Sequence, residues 1–180
     1  MIEPSLEEPG ALRKLALNLF HGYGYTFYKL ENELRQDDQR VRQLACSLLQ
    51  RARTALGEAE NAYRREMIPP PSRAVPFPDA ALVAQAKRLE ALALAVSALE
   101  AQVRAQPVPG NDLMTRRYHN EAARLAELSE RDLLLVEDAQ GLCNAVEGQG
   151  HAALLPEAAA IDARIAALRQ RLTDRGTLLI

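Results

Sequence analysis

The three histidines and two cysteines of this sequence are the residues best suited to bind a metal or to attack a substrate. They are His21, His119, His151, Cys46 and Cys143. A di-iron helical bundle needs Glu three residues before His on two of its helices, and a common zinc-enzyme motif is His-Glu-x-x-His. Neither spacing occurs here, and the chain contains no Cys-x-x-Cys pair. We therefore predict no standard metal centre and no cofactor.

The two cysteines lie 97 positions apart on apolar segments, at Cys46 and Cys143. A free cysteine packs as a small apolar residue, whereas a reactive thiol needs an accessible, electropositive setting. We predict that both side chains are buried in the core. Two distant cysteines are also typical of a reducing compartment, which predicts a cytoplasmic location.

Three carboxylates, Asp37, Glu121 and Asp132, occupy positions that are otherwise apolar on the predicted helix faces. Burial would shift the pKa of such groups and suit them to acid–base chemistry. The alternative is that they pair with arginine, of which the chain has 19 against three lysines. Because a guanidinium binds a carboxylate through two hydrogen bonds, we predict arginine pairs rather than a catalytic pair.

A dense aromatic segment near the N-terminus is the main local anomaly of the sequence. Five of the eight aromatic residues lie between positions 20 and 28, which also hold Gly22 and Gly24. On a helix these rings surround most of the circumference instead of lining one face. The candidate binding residues of this segment are Phe20, His21, Tyr23, Tyr25, Phe27 and Tyr28.

Three interpretations of the aromatic segment remain open. The rings can form a second layer of core, closed by the last helix. They can also form a contact surface for a protein, because tyrosine combines an apolar ring with a polar tip and is enriched at interfaces. In the third interpretation the glycines open space for a small ligand or cofactor, and the tyrosines line it.

Composition favours helices and argues against two classes of partner. Ala and Leu supply 31 and 29 of the 180 residues, whereas Val, Ile and Thr together supply only 18. This balance predicts an all-α fold. The net charge of −2 provides no positive field for nucleic acid. The longest nearly uncharged apolar run, 91–99, is far below the roughly 20 residues of a membrane span. We therefore predict no nucleic-acid partner and no membrane span.

Ten prolines divide the chain, because an interior proline costs a helix about 3 kcal/mol. We predict helices at about 10–66, 79–106, 112–147 and 156–175. Residues 1–9 are expected to be disordered, and 10–180 to form a single helical-bundle domain. The segment 67–78 holds five prolines and predicts a stiff strap. A ligand for a proline-reading domain is the alternative, but no well-spaced PxxP with a basic neighbour stands out.

Local signals set the expected ends of these helices. Asp79 precedes a run of apolar residues and is expected to cap the second helix. Gly148 is expected to end the third helix, because glycine adopts left-handed backbone angles readily. Pro156 suits the first turn of the fourth helix, and Gly176 is expected to end it.

Two different apolar periods predict how the helices pack. In the first predicted helix, core positions recur in a 3-4-4 step from Leu12 to Tyr63, and an 11-residue repeat of this kind gives a nearly straight helix. The second window follows a heptad through positions 82, 85, 89, 92, 96, 99 and 103, and the third follows one through positions 114, 118, 121, 125, 128, 132, 135, 139, 142 and 146. On the fourth helix one apolar stripe is formed by Ile161, Ile165, Leu168 and Leu172. We predict an elongated antiparallel bundle of about four helices with coiled-coil-like packing. The first helix is about 85 Å long if unbroken, or kinked near Gly22 and Gly24.

The length of the first helix leads to a functional hypothesis. The second helix should return along its far half and leave residues 10–38 under-covered. We therefore predict a non-enzymatic protein–protein interaction module, such as an adaptor, assembly factor or chaperone-like bundle. Its partner is another protein or a second copy, with a two-fold homodimer as the default. The alternative is a bundle that binds a small ligand or cofactor near residues 20–28.

Overall fold

The computed structural model describes residues 29–73, 76–106 and 121–179, and within these ranges the chain forms helices and no strands. The helices are α1 (Lys29–Met67), α2 (Ala80–Arg104), α3 (Glu121–Val146), α4 (His151–Leu154) and α5 (Ala158–Leu179). The predicted all-α fold is confirmed for this part of the chain. The expected starts of the first and third helices, and the expected disorder of residues 1–9, lie outside the described residues.

The apolar stripe of α1 is buried wherever its side chains are described. Seven positions between 41 and 63 fit the predicted 3-4-4 step, and all of them are in the core. They are Val41, Ala45, Leu48, Ala52, Leu56, Ala59 and Tyr63. The opposite face is polar and exposed, as at Gln50, Arg53 and Thr54. Gly22 and Gly24 lie outside the described residues, so the choice between a continuous and a kinked helix stays a prediction.

α2 begins at the predicted cap. The Asp79 carboxylate accepts a hydrogen bond from the Ala81 amide at 2.8 Å, which satisfies a donor that the first turn leaves free. The buried heptad positions are Leu89, Leu92, Val96, Leu99 and Val103. The prediction for Gln85 is wrong, because it is exposed and Ala86 is buried in its place. Gln85 stays at the edge of the core, where its side-chain oxygen accepts a hydrogen bond from the Tyr63 hydroxyl at 2.8 Å.

α3 buries its predicted heptad face from residue 128 onward. The buried positions are Leu128, Asp132, Leu135, Ala139, Leu142 and Val146. The helix ends close to the predicted residue, since Gly148 follows it with φ of +73°. This left-handed conformation costs glycine little, because glycine has no Cβ. The side chains of heptad positions 114–125 lie outside the described part.

The C-terminal region differs from the prediction in two respects. The short helix α4 was not expected, and Pro156 lies in the turn after it instead of in the first turn of α5. Gly176 does not end the last helix, which continues to Leu179. Leu172 and Arg175 are buried close to this point, so packing holds the helix past a residue that costs about 1 kcal/mol. The predicted stripe of α5 is confirmed, with Ile161, Ile165, Leu168 and Leu172 buried.

Hydrogen bonds between helices give their relative directions. α1 and α2 are antiparallel, because Tyr63 bonds to Gln85 near one end and Arg42 Nη1 donates to the Gln106 carbonyl oxygen (3.1 Å) near the other. α3 and α5 are also antiparallel, because Arg171 donates to Asp138 and Arg175 donates to Asp132.

α2 and α5 run in the same direction. Arg88 of α2 donates to Asp162 of α5, and Gln106 after α2 lies beside Gly176 of α5. Since α1 opposes α2 and α3 opposes α5, α1 and α3 are also parallel. α1 packs against α2 and α3, α5 packs against the same two helices, and α4 packs against α1. Coiled-coil packing in the strict sense stays a prediction.

Candidate functional site

The six residues predicted from the sequence to form a binding site lie outside the described residues. They are Phe20, His21, Tyr23, Tyr25, Phe27 and Tyr28. The interface, core and ligand-pocket interpretations of this segment therefore all stay predictions. The described helices contain other side chains able to do chemistry, and their surroundings define what this part of the chain can do.

Both thiols are buried, as predicted, and both have raised pKa values. Burial is the main reason that the pKa of Cys46 lies above its ordinary value, and Glu100 raises it further. Burial, with a smaller effect of the Glu147 carboxylate, raises the pKa of Cys143 to about 11. A thiol held in its protonated form is a poor nucleophile and a poor metal ligand. These cysteines therefore act as small core residues.

The carboxylate beside Cys143 belongs to an ion pair between α1 and the end of α3. Arg51 donates to Glu147 twice, from Nε to Oε1 at 3.0 Å and from Nη2 to Oε2 at 2.5 Å. These hydrogen bonds lower the pKa of Glu147, so that it stays ionised and serves as an acceptor. The two side chains are 46% and 42% exposed, so the pair is a surface ion pair that joins the two helices.

Asp132 forms the arginine pair that the sequence predicts. Arg175 Nε lies 2.6 Å from Asp132 Oδ1, and the side chains are only 1% and 5% exposed. The pair joins α3 to α5 inside the bundle. The predicted arginine pair is therefore confirmed for Asp132. The side chains of Asp37 and Glu121 lie outside the described part.

A polar cluster lies near the C-terminal end of α1, where α4 packs against this helix. His151 Nε2 lies 2.8 Å from Glu66 Oε2, and the imidazole ring meets the Tyr63 ring edge-on with centroids 5.3 Å apart. The Tyr63 hydroxyl is engaged by Gln85. The cluster therefore fastens α4 to α1 and α2. The sequence gives no signal for it, because its residues come from three separate segments of the chain.

A shallow groove of about 470 Å³ opens along α1 near the end of α2. Its lining residues are Gln39, Arg42, Gln43, Cys46, Ser47, Gln50 and Arg104. The thiol of its lining belongs to Cys46, and burial raises the pKa of this thiol, which favours the protonated form. Arg104 already donates to Glu100 at 2.7 Å. The lining offers polar side chains for contact and no acid–base pair.

The solvent side of α2 carries a second heptad pattern that the sequence analysis missed. Exposed residues recur here at alternating intervals of three and four positions, and the last of them directly follows the helix. They are Ala84, Lys87, Ala91, Leu94, Ala98, Ala101 and Ala105. We call these residues the outer seam. Leu94, near its centre, is 64% exposed. A surface helix normally places charged and polar residues on this side, and the outer seam has one charge among seven positions. It is therefore an unusually apolar surface for the exposed side of a helix.

The described residues contain neither a metal-binding cluster nor a membrane-spanning helix. No three His, Cys, Asp or Glu side chains come together there in a way that could hold a metal ion. None of the helices that the structure describes combines the length and the apolar character needed to cross a membrane. Comparison with known proteins found no matching family model, no matching curated protein and no matching solved structure.

Proposed function

We propose that this chain is a non-enzymatic helical protein–protein interaction module that self-associates through the N-terminal part of its long first helix. The observation that carries the proposal is the unequal length of α1 and α2. α2 runs antiparallel to α1 and ends beside Arg42, where the Gln106 carbonyl oxygen accepts the arginine hydrogen bond. α1 already begins at Lys29. Its first 12 residues, 29–40, extend about 18 Å beyond α2.

This extension leads directly toward the aromatic segment. Residues 20–28 immediately precede α1 in the chain. Exposed apolar surface of appreciable size marks a binding site in a water-exposed protein, and aromatic side chains dominate the energetics of such sites. A second copy is the simplest partner that offers a matching surface, and a two-fold pair is the commonest arrangement.

The chemical groups of the described helices support a structural role as well. The thiols are buried and protonated, and Asp132 and Glu147 are paired with arginine. Both described cysteines are free. A reducing environment keeps thiols in that state, so a cytoplasmic location is part of the proposal.

The proposal is tested by replacing three aromatic residues together, Phe20→Ser, Tyr23→Ser and Phe27→Ser, in the full chain. We expect sedimentation velocity to change from a dimer to a monomer, because the rings that bury area between the copies are lost. Far-UV circular dichroism and the melting temperature of the dilute protein should stay close to those of the wild type.

A matched control replaces three exposed residues of α1 by serine, at Gln43, Gln50 and Thr54. These residues lie outside the aromatic segment, and we expect the control to assemble like the wild type. Unfolding of the aromatic variant would show that the rings belong to the core. Unchanged assembly would show that they do not form the contact. Either result contradicts the proposal.

A further inference from the structure

We propose that the outer seam of α2 is a second contact surface, which pairs with the outer seam of another copy of this chain in antiparallel orientation. This inference goes beyond the proposed function, because it uses a different helix and residues that are all described. The two surfaces are also separate in the chain. The outer seam lies on the solvent side of α2, whereas the aromatic segment is formed by residues 20–28.

The spacing of the outer seam is that of a coiled-coil seam. Its seven residues alternate steps of three and four from Ala84 to Ala105, and all seven are exposed. The heptad positions on the other side of the same helix, such as Leu92 and Val96, are already buried in the core. Because a heptad seam stays on one side of a helix over several turns, the outer seam can meet a second helix along its whole length.

Side-chain size suits a close pair of helices. Leu94 is the large residue of the outer seam, and Ala91 and Ala98 lie on either side of it. An antiparallel pair with Leu94 opposite Ala98 of the second copy, and Ala98 opposite its Leu94, sets large residues against small ones. Such alternation fills an interface without voids. Lys87 falls at the edge of this contact, where its aliphatic stem can lie on the seam and its ammonium group can remain in water.

The charges that flank the outer seam select this register. With Leu94 opposite Ala98, the flanking residue Glu90 lies next to Arg104 of the second copy, and two-fold symmetry repeats the pair. The side chains of Glu90 and Arg104 are 51% and 64% exposed, so both are accessible. In the alternative register, with Leu94 opposite Ala91, Glu90 meets Ser97 and no opposite charges come together. Flanking charges of this kind fix the register and orientation of paired helices.

Both flanking residues also have partners within the chain. Glu90 accepts a hydrogen bond from Arg64 at 3.2 Å, and Arg104 donates to Glu100 at 2.7 Å. Exposed ion pairs of this type contribute little to stability and exchange partners readily. The apolar contact around Leu94 therefore supplies the affinity, and the charges decide which arrangement forms.

A charge-exchange experiment on the full chain tests the inference. Sedimentation equilibrium gives the dissociation constant of the assembly for the wild type and for Leu94→Glu, Glu90→Arg, Arg104→Glu and the double exchange. We expect Leu94→Glu to raise the dissociation constant at least about tenfold, because it places unpaired charge in the contact. Each single exchange should also weaken assembly, since it sets like charges together, and the double exchange should restore it.

Recovery of assembly in the double exchange distinguishes a contact between copies from effects within one chain. Positions 90 and 104 are about 21 Å apart on one helix, so their effects on the monomer should add. The double exchange retains both intramolecular costs, because it sets an arginine at position 90 near Arg64 and a glutamate at position 104 near Glu100. Only a contact between copies can therefore make it assemble better than the single variants. Thr54→Glu, at an exposed site of α1, is the control for Leu94→Glu.

The pairing of α2 is wrong if Leu94→Glu assembles like the wild type or if the double exchange assembles no better than the single ones. If the serine variant of the aromatic segment abolishes assembly and Leu94→Glu does not, the inference fails and the proposed function stands. The opposite result supports α2 pairing and contradicts the proposed N-terminal contact. A wild-type chain that stays monomeric at all concentrations contradicts both.

Discussion

Asp132 and Arg175 place a carboxylate and a guanidinium inside the core between α3 and α5. Removing both charges from water is costly, and their attraction offsets that cost only when the geometry is good. The 2.6 Å contact between Arg175 Nε and Asp132 Oδ1 meets this condition. Neighbouring core positions on both helices are apolar, so a shift of α5 along α3 would leave each charge buried without its partner. The pair therefore fixes the register of these helices.

We predict that Asp132→Leu and Arg175→Met, made separately, each lower the free energy of unfolding by about 3–5 kcal/mol, because each leaves one charge buried without its partner. The double variant should be more stable than either, because both desolvation costs are removed. Urea unfolding followed by circular dichroism measures the three values. Arg131→Ala, which breaks an exposed pair with Glu127, is the control and should cost less than about 1 kcal/mol. If the single variants lower the free energy of unfolding no more than this control does, the prediction of a buried, paired charge is wrong.

The Cys143 thiol makes stability depend on pH in the alkaline range. Burial raises its pKa from an ordinary value of 9.0 to about 11. Between these values the folded chain keeps the thiol proton and the unfolded chain loses it, so the unfolded state binds fewer protons. The contribution of the Cys143 thiol to the free energy of unfolding is therefore fully present below about pH 9 and is lost as pH rises toward 11.

Urea unfolding at several pH values across this range, for the wild type and Cys143→Ala, measures the effect. We expect the free energy of unfolding to fall with pH more steeply in the wild type, since only the wild type carries this thiol. Equal slopes for the two proteins would mean that Cys143 titrates normally in the folded chain.

Two glycines have opposite roles at the scale of the helix. Gly57 lies within α1, and an added Cβ would meet no atom within 4 Å. Gly148 ends α3 with φ of +73°. We predict that Gly57→Ala raises the free energy of unfolding by up to about 1 kcal/mol, because alanine favours the helix. Gly148→Ala should lower it by about 1–3 kcal/mol, because a Cβ is strained at positive φ.

Thermal or urea unfolding of the two alanine variants provides the measurement, and each variant serves as the control for the other. The same chemical change is expected to act in opposite directions. A loss of stability at Gly57 would indicate a close neighbour on that face of α1, such as a second copy. A neutral result at Gly148 would mean that the turn after α3 can adopt another backbone conformation.

The sequence predicts long elements well, because a repeating apolar pattern has many chances to agree with one face of a helix. The stripe from Val41 to Tyr63, the Asp79 cap and the stop at Gly148 are cases in which local chemistry and packing agree. α4 was missed because four residues are too few to show a period. Gly176 was misread because tertiary packing of α5 overrides a local preference.

The candidate surfaces are harder to predict from the sequence, for a different physical reason. α2 is rich in alanine and leucine on all sides, so heptads can be drawn through it in more than one frame. The frame chosen from the sequence, through Leu92 and Val96, is the buried one, and the exposure of Leu94 on the other side follows from where α1 and α5 pack. The sequence therefore identifies which positions are apolar, and the tertiary structure decides which of them face solvent.

At the scale of the whole molecule, the two proposed contact surfaces belong to different parts of the chain. α2 covers α1 from Arg42 to Tyr63, where hydrogen bonds join the two helices. Its outer side carries the outer seam along the same stretch. The part of α1 before Arg42 leads to the aromatic segment. Two separate two-fold contacts would join four copies into a closed tetramer or many copies into a chain.

Amide hydrogen exchange at low and high protein concentration distinguishes these parts of α1. In the dilute protein we predict that the α1 amides of residues 29–40 exchange faster than those of residues 45–63, because α2 ends beside Arg42 and packing raises the free energy of local opening. At high concentration residues 29–40 should become protected, since a second copy then packs against them. Residues 45–63 are buried within each copy and serve as the internal control. Equal exchange along α1 in the dilute protein would mean that the single chain already covers the whole helix. Exchange that does not respond to concentration would place the contact between copies elsewhere.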